Sequence, residues 1–184
     1  MWSAPVVTVG PVTAPVSLDE AKAQCRVTGT SHDASLNLYI PAAVALVQKW
    51  TGLWLAQQTV SISRADFEAS MQLPVAPVRS VAALRYFDPT GDEQTVAADA
   101  YRLIGASTLS ASIDLATGGQ WPAVEPRADA ITAEIVVGFD TVPADIKAAL
   151  LLLISHLFDN RGVVASGSEM PWGVSDLLEN HRTF

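Results

Sequence analysis

The segment that most constrains this chain is Pro143-Ala-Asp-Ile-Lys-Ala-Ala-Leu-Leu-Leu-Leu-Ile-Ser-His-Leu-Phe158. Pro143 suits a helix start, where its missing amide costs least, and Asp145 complements the dipole in the first turn. Gly162 follows as an expected stop. At helical spacing Ile146, Ala149, Leu150, Leu153, Ile154 and Leu157 make a core stripe. Leu151, Leu152 and Phe158 carry apolar surface around much of the remaining circumference. A helix that is apolar all round is buried all round. Its far side must therefore be covered by the rest of this chain or by a neighbouring subunit. The run Ala148–Ile154 is far short of the roughly 20 residues that span a bilayer, so a soluble protein with no membrane partner is expected.

Composition sharpens that choice. Hydrophobic residues make up 49% of the 184 and charged residues 16%, against roughly 25% charge in an ordinary soluble domain. A surface this short of charge points to partial cover by neighbours. The net charge of -8 repels phosphate backbones and argues against sequence-reading DNA binding. It would suit a surface past which DNA slides. Cys25 is the one cysteine, which excludes an internal disulfide framework and a cysteine-based zinc site. It also fits synthesis in a reducing cytoplasm. Met1-Trp-Ser-Ala-Pro5 lacks a basic region followed by an apolar run, so no signal peptide is expected.

Along the chain, residues 1–16 are rich in proline and valine and read as an extended N-terminal arm. Ser17-Leu-Asp-Glu20 matches a capping box and predicts a helix over 17–26. Leu36, Tyr39, Ile40, Ala43, Val47 and Trp50 recur at helical spacing and predict a second helix over 33–51, with Gly52 as its stop. Pro41 inside that pattern predicts a kink or a later start. Between about 57 and 137 the period changes to two. Strands are expected at Thr59–Ser63, Ser80–Phe87, Tyr101–Ile104, Leu109–Leu115 and Ala130–Val137, with a turn at Asp88–Asp92. The third long helix is expected over 143–161, a small-residue loop over 163–170 and a short final helix over 174–181, within a C-terminal segment of 163–184. The expected fold class is α+β: a single domain over 17–162, built as a small helical bundle with an inserted, mostly antiparallel β subdomain.

No constellation of residues reaches an active site. His32, His156 and His181 fall in three different segments, and His156 with Asp159 or Asn160 is too few ligands for a metal. Cys25 beside His32 is the one conceivable nucleophile pair, as in a small hydrolase. A cysteine near the end of an amphipathic helix is more often a small buried hydrophobe. Ser166-Gly-Ser168 lacks the context of a nucleophile elbow, and Gly118-Gly119 has no phosphate-binding lysine. No cofactor and no metal are expected.

Several segments, in order, resemble a phage head–tail connector family associated with DNA packaging. Val16-Ser-Leu-Asp-Glu-Ala-Lys22 is similar to its opening "PV(S/T)LxEAK", and Lys49-Trp-Thr-Gly52 to its helix stop. Leu73-Pro74 with Pro77-Val-Arg-Ser-Val81 resembles "LPxxPVxSV", and Gly119-Gln-Trp-Pro122 resembles "GxxWP". Val142-Pro-Ala-Asp-Ile-Lys-Ala-Ala149 is similar to "VPxDIxxA", and His156–Arg161 to "HxxxNR". Pro171-Trp-Gly-Val174 with Leu177-Leu178 resembles "PxGVxxLL". The likeness covers roughly residues 15 to 182; Pro41 departs from it.

The resemblance implies a non-enzymatic adaptor of the virion neck, made in a bacterial host. Its subunits would form a ring, typically twelvefold, below the portal of a tailed phage or gene-transfer particle. The portal protein and a stopper or tail protein would be its partners, with DNA passing through the lumen without sequence-specific binding. Trp172, Leu177, Leu178 and Phe184 would anchor the C-terminal segment on the portal. Ile146, Leu150, Leu151, Leu153, Leu157 and Phe158 would serve the bundle and subunit contacts. Deleting Pro171–Phe184 would then abolish portal binding and leave the subunit folded. An acidic lumen would be refuted by an inner wall lined with Arg64, Arg79 and Arg85. A different neck or tail-completion protein is the nearest alternative.

Overall fold

The computed structural model describes residues 1–160 and 171–182. The class is α+β, with two antiparallel sheets and a set of helices. The chain forms two compact units, one comprising Met1–Val12 and Ala56–Phe139, the other Thr13–Leu55 and Asp140–Phe184.

The first unit is built on strands β1 (Val6–Val9), β2 (Gln58–Arg64), β3 (Ser70–Gln72), β4 (Val78–Phe87), β5 (Glu93–Thr95), β6 (Tyr101–Ile104), β7 (Ser112–Leu115) and β8 (Ile131–Val137). One sheet runs β1-β2-β8-β4-β5 and the other β3-β7-β6. Val60 and Ile62 of β2, with Ile131, Ala133, Ile135 and Val137 of β8, are buried in strict alternation. That is the period-two pattern of strands with one face on a core. Strand β4 breaks the alternation because its register against β8 shifts between Val78 and Ser80 and again between Val81 and Ala83. Each shift turns the following side chains to the other face. The Asp88–Asp92 turn is closed by Asp88 Oδ1, which accepts from the amides of Thr90 and Asp92 at 2.9 and 3.1 Å.

The N-terminal arm is not free in solution. Its strand β1 pairs antiparallel with β2, Val6 opposite Ser61 and Val9 opposite Thr59. Strands β3 and β5 carry too few apolar residues to show a period, and only pairing reveals them.

The second unit holds helices α1 (Leu18–Gln24), α2 (Asp33–Thr51), α3 (Ala144–Asp159) and α4 (Trp172–Leu178), then a 3-10 turn at Glu179–His181. At α1 both bonds of the capping box form: Ser17 Oγ accepts from the Glu20 amide, and Glu20 accepts from the Ser17 amide. Glu20 also pairs with Lys147 of α3, and Lys22 reaches Asp33 at 2.6 Å. Gly52 caps α2 in a left-handed conformation, φ 76°. The helix runs unbroken through Pro41, so the late start raised by the sequence does not occur. Proline there deprives the Asn37 carbonyl of its helical donor. Asn37 and Pro41 are both exposed, so water can take the donor's place.

Candidate partner-docking surface

Helix α3 shows how far this chain covers its own apolar surface. Ile146, Ala149, Leu150, Leu153 and Ile154 are buried. Each large side chain among them contributes about 1.5–3 kcal/mol relative to exposure. Leu151, Leu157 and Phe158 are half-buried, and the Phe158 ring meets His32 edge-on at 5.3 Å. Ala148 and His156 are exposed, and Leu152 remains 43% exposed. One side of this strongly apolar helix is therefore left exposed among the described residues.

The C-terminal segment is docked by one face and open on the other. Val174 and Leu178 of α4 are buried at 2% and 0% exposure, while Trp172 is 83% exposed. Leu177 is half-buried, and Phe184 lies outside the described residues, as do Gly162 and the loop at 163–170. His181 Nε2 donates to Asp145 Oδ2 at 2.6 Å, which ties the 3-10 turn to the first turn of α3. Arg182 stacks over Trp50 at 5.2 Å. The His181 hydrogen bond, helped by the Ile146 amide, holds the Asp145 carboxyl below its usual range against the opposing effect of burial. Of the four anchors expected from sequence, Trp172 stands free, Leu177 is partly available and Leu178 belongs to the core. Removing residues 171–184 would strip Val174 and Leu178 from that core, so the expectation that such a truncated subunit stays folded does not follow from this packing.

Exposed apolar residues that sequence periodicity did not single out lie elsewhere. On α2, Leu38 and Leu46 are 67% and 43% exposed, and on β1 Val6, Val7 and Val9 are 64%, 45% and 57% exposed. Helix α2 carries no charge from Ala34 to Gln48. That gap in charge was the available signal.

The chemistry of Cys25 runs against nucleophilic use. Burial raises its pKa, the negative charge of Asp159 adds to the effect, and a hydrogen bond with Ser155 only offsets it in part. A thiol kept protonated is a poor nucleophile. His32 packs on Phe158. Among the described residues, no cluster of three or more His, Cys, Asp or Glu could hold a metal ion. No described helix is long and apolar enough to cross a membrane.

The motif residues have structural roles. Trp121 stacks on Phe67 at 4.4 Å and donates to the Glu68 carbonyl at 2.8 Å. Pro77 precedes β4, and the Pro77 carbonyl accepts from Gly138 at 3.0 Å.

No curated protein matches the chain. Among solved structures, a chain from the neck of an empty gene transfer agent particle, computed with C6 symmetry, superposes with a TM-score of 0.81. It shares 24% identity and the match covers 99% of this chain and 96% of that one, a likeness of fold. A chain from the virion of a native gene transfer agent particle gives a TM-score of 0.74 at 27% identity. One from the neck of a native particle, computed with C12 symmetry, gives 0.71 at 28%. In both, the match covers 96% of each chain. The family described as "Head completion protein" matches residues 16–184. The chain belongs to this head completion protein family, a family of phage head–tail connectors.

Proposed function

We propose that this chain is a structural adaptor of the virion neck, a ring subunit that sits below the portal, extends the DNA channel and joins the capsid to stopper or tail proteins. The observation that carries the reading is the family match over residues 16–184, supported by the likeness to a chain from the neck of a gene transfer agent particle and to one from the virion of such a particle. A non-enzymatic role accords with the protonated Cys25. The exposed indole of Trp172, held on a short helix by buried Val174 and Leu178, suits an anchor for the portal protein. Tryptophan is favoured at the centre of interfaces, where a large rigid ring fills a pocket.

Two of the three arginines that would mark a basic channel wall, Arg64 and Arg85, are buried or paired within the subunit. Arg64 is only 5% exposed, and Arg85 is neutralised by Glu134 at 2.7 Å. DNA would then pass without being gripped.

Deleting the gene tests the role. Filled capsids lacking tails should accumulate, and electron microscopy of complemented particles should place the protein between portal and tail. Normally tailed particles in the deletion strain would refute the reading.

A further inference from the structure

Two helices of the second unit present exposed rows at the same spacing. On α2 the row is Ala34, Leu38, Ala42 and Leu46; on α3 it is Ala144, Ala148, Leu152 and His156. Each follows the i, i+4 ridge of its helix for about 18 Å. Leu38 is 67% exposed, and Leu46 and Leu152 are each 43% exposed. No Asp, Glu, Lys or Arg falls in either row. The two ionic groups beside the α3 row are engaged within the subunit, Lys147 with Glu20 and Asp145 with His181. At the C-terminal end of the α2 row stands Lys49, exposed, and at the same end of the α3 row stands Asp159, also exposed.

We infer that the α2 row of one subunit packs against the α3 row of the next copy, and that this contact builds the ring. The inference rests on the ring reading above and names the surfaces that would form it. A closed ring needs a head-to-tail interface, in which each copy offers two different patches that fit one another. Two i, i+4 ridges interdigitate with their axes crossing near −50°. The alanines leave hollows for the leucines opposite. With the helices running in the same general direction, Lys49 meets Asp159, and opposite charges select that register. Two α2 rows packed in parallel would instead set Lys49 against its own copy.

The test uses the full-length chain with Cys25→Ala as background and a short bis-maleimide cross-linker, applied to assembled particles and to purified protein. Leu38→Cys with Leu152→Cys in the same chain should give a ladder of covalent multimers on a denaturing gel. Either cysteine alone should give monomer. Dimers from Leu38→Cys alone would mean that like rows meet, and would overturn the inference. Intact rings without a ladder would overturn it while leaving the ring reading standing. Particle necks that contain the chain but no ring of it would sink both.

A second pair of variants separates assembly from folding. Leu38→Glu and Leu152→Glu should each keep the native helical circular dichroism and lose rings. Mixed together they should stop at a heterodimer, because only one competent contact remains. Homodimers of either variant would refute the head-to-tail arrangement. Lys49→Asp should weaken assembly about fivefold, with recovery on adding Asp159→Lys; unchanged assembly would remove the charge pair from the interface.

Discussion

Trp172 and Leu178 lie six residues apart on one short helix, and the structure exposes the first and buries the second. Trp172→Ala removes a side chain that is 83% exposed. A buried tryptophan covers about 200 Å², and four-fifths of that at about 25 cal/mol per Å² amounts to about 4 kcal/mol of burial available to a partner. Ordering and imperfect polar pairing reduce what appears as affinity, so a loss of about 2 kcal/mol, or about thirtyfold in Kd for the portal protein, is expected. The subunit's own stability should not change. Leu178→Ala should behave in reverse. This leucine is 0% exposed, and truncating it costs about 2–5 kcal/mol through lost transfer energy and the cavity left behind. Portal affinity by surface plasmon resonance and thermal melts of both variants check the pair. Portal binding by Trp172→Ala within twofold of the native protein would refute the anchoring argument. A drop in its melting temperature as large as that of Leu178→Ala would refute the assigned exposure.

Gly138, at φ +98°, would place an added Cβ under 3.0 Å from the carbonyl group of Ala56 and the amide of Gln57, all of them rigid backbone. Gly138→Ala should therefore cost more than about 2 kcal/mol and lower the melting temperature by at least about 4 °C, as read by calorimetry. Asp145 has a depressed pKa, so its contribution is full above the ordinary carboxylate value and is lost as pH falls through the lower, folded-state value. The melting temperature of Asp145→Asn should accordingly lie below that of the native protein at pH 6, with the gap closing below about pH 4. Cys25→Ala should leave the yield of tailed, functional particles unchanged, whereas a Cys25-dependent hydrolase would fail in the same particle assay.

The long helices were legible because their signals are local. The stripe from Leu36 to Trp50, the box at Ser17 and Glu20, and the left-handed Gly52 each involve residues within a few turns of one another. The same holds for β2 and β8, whose alternation survives on single strands. Pro41 misled because its cost depends on whether the freed carbonyl reaches water, and that depends on which face of α2 lies outward. Strand β4 blurred its own period through two register shifts against β8. Strands β1, β3 and β5 were silent because short segments acquire their identity from partners far away in sequence.

The surfaces follow the same division. Sequence alone determined that α3 carries more apolar surface than one stripe requires, that α2 is uncharged over four turns, and that a tryptophan lies in the C-terminal segment. Those are properties of residue order along a helix. Only the tertiary structure decided that Leu152 and Leu38 face outward while Leu178 faces inward, and that the arm reaches back to pair with β2. Burial is a property of what packs alongside. Two leucines with identical chemistry become core or surface according to neighbours that local periodicity cannot see.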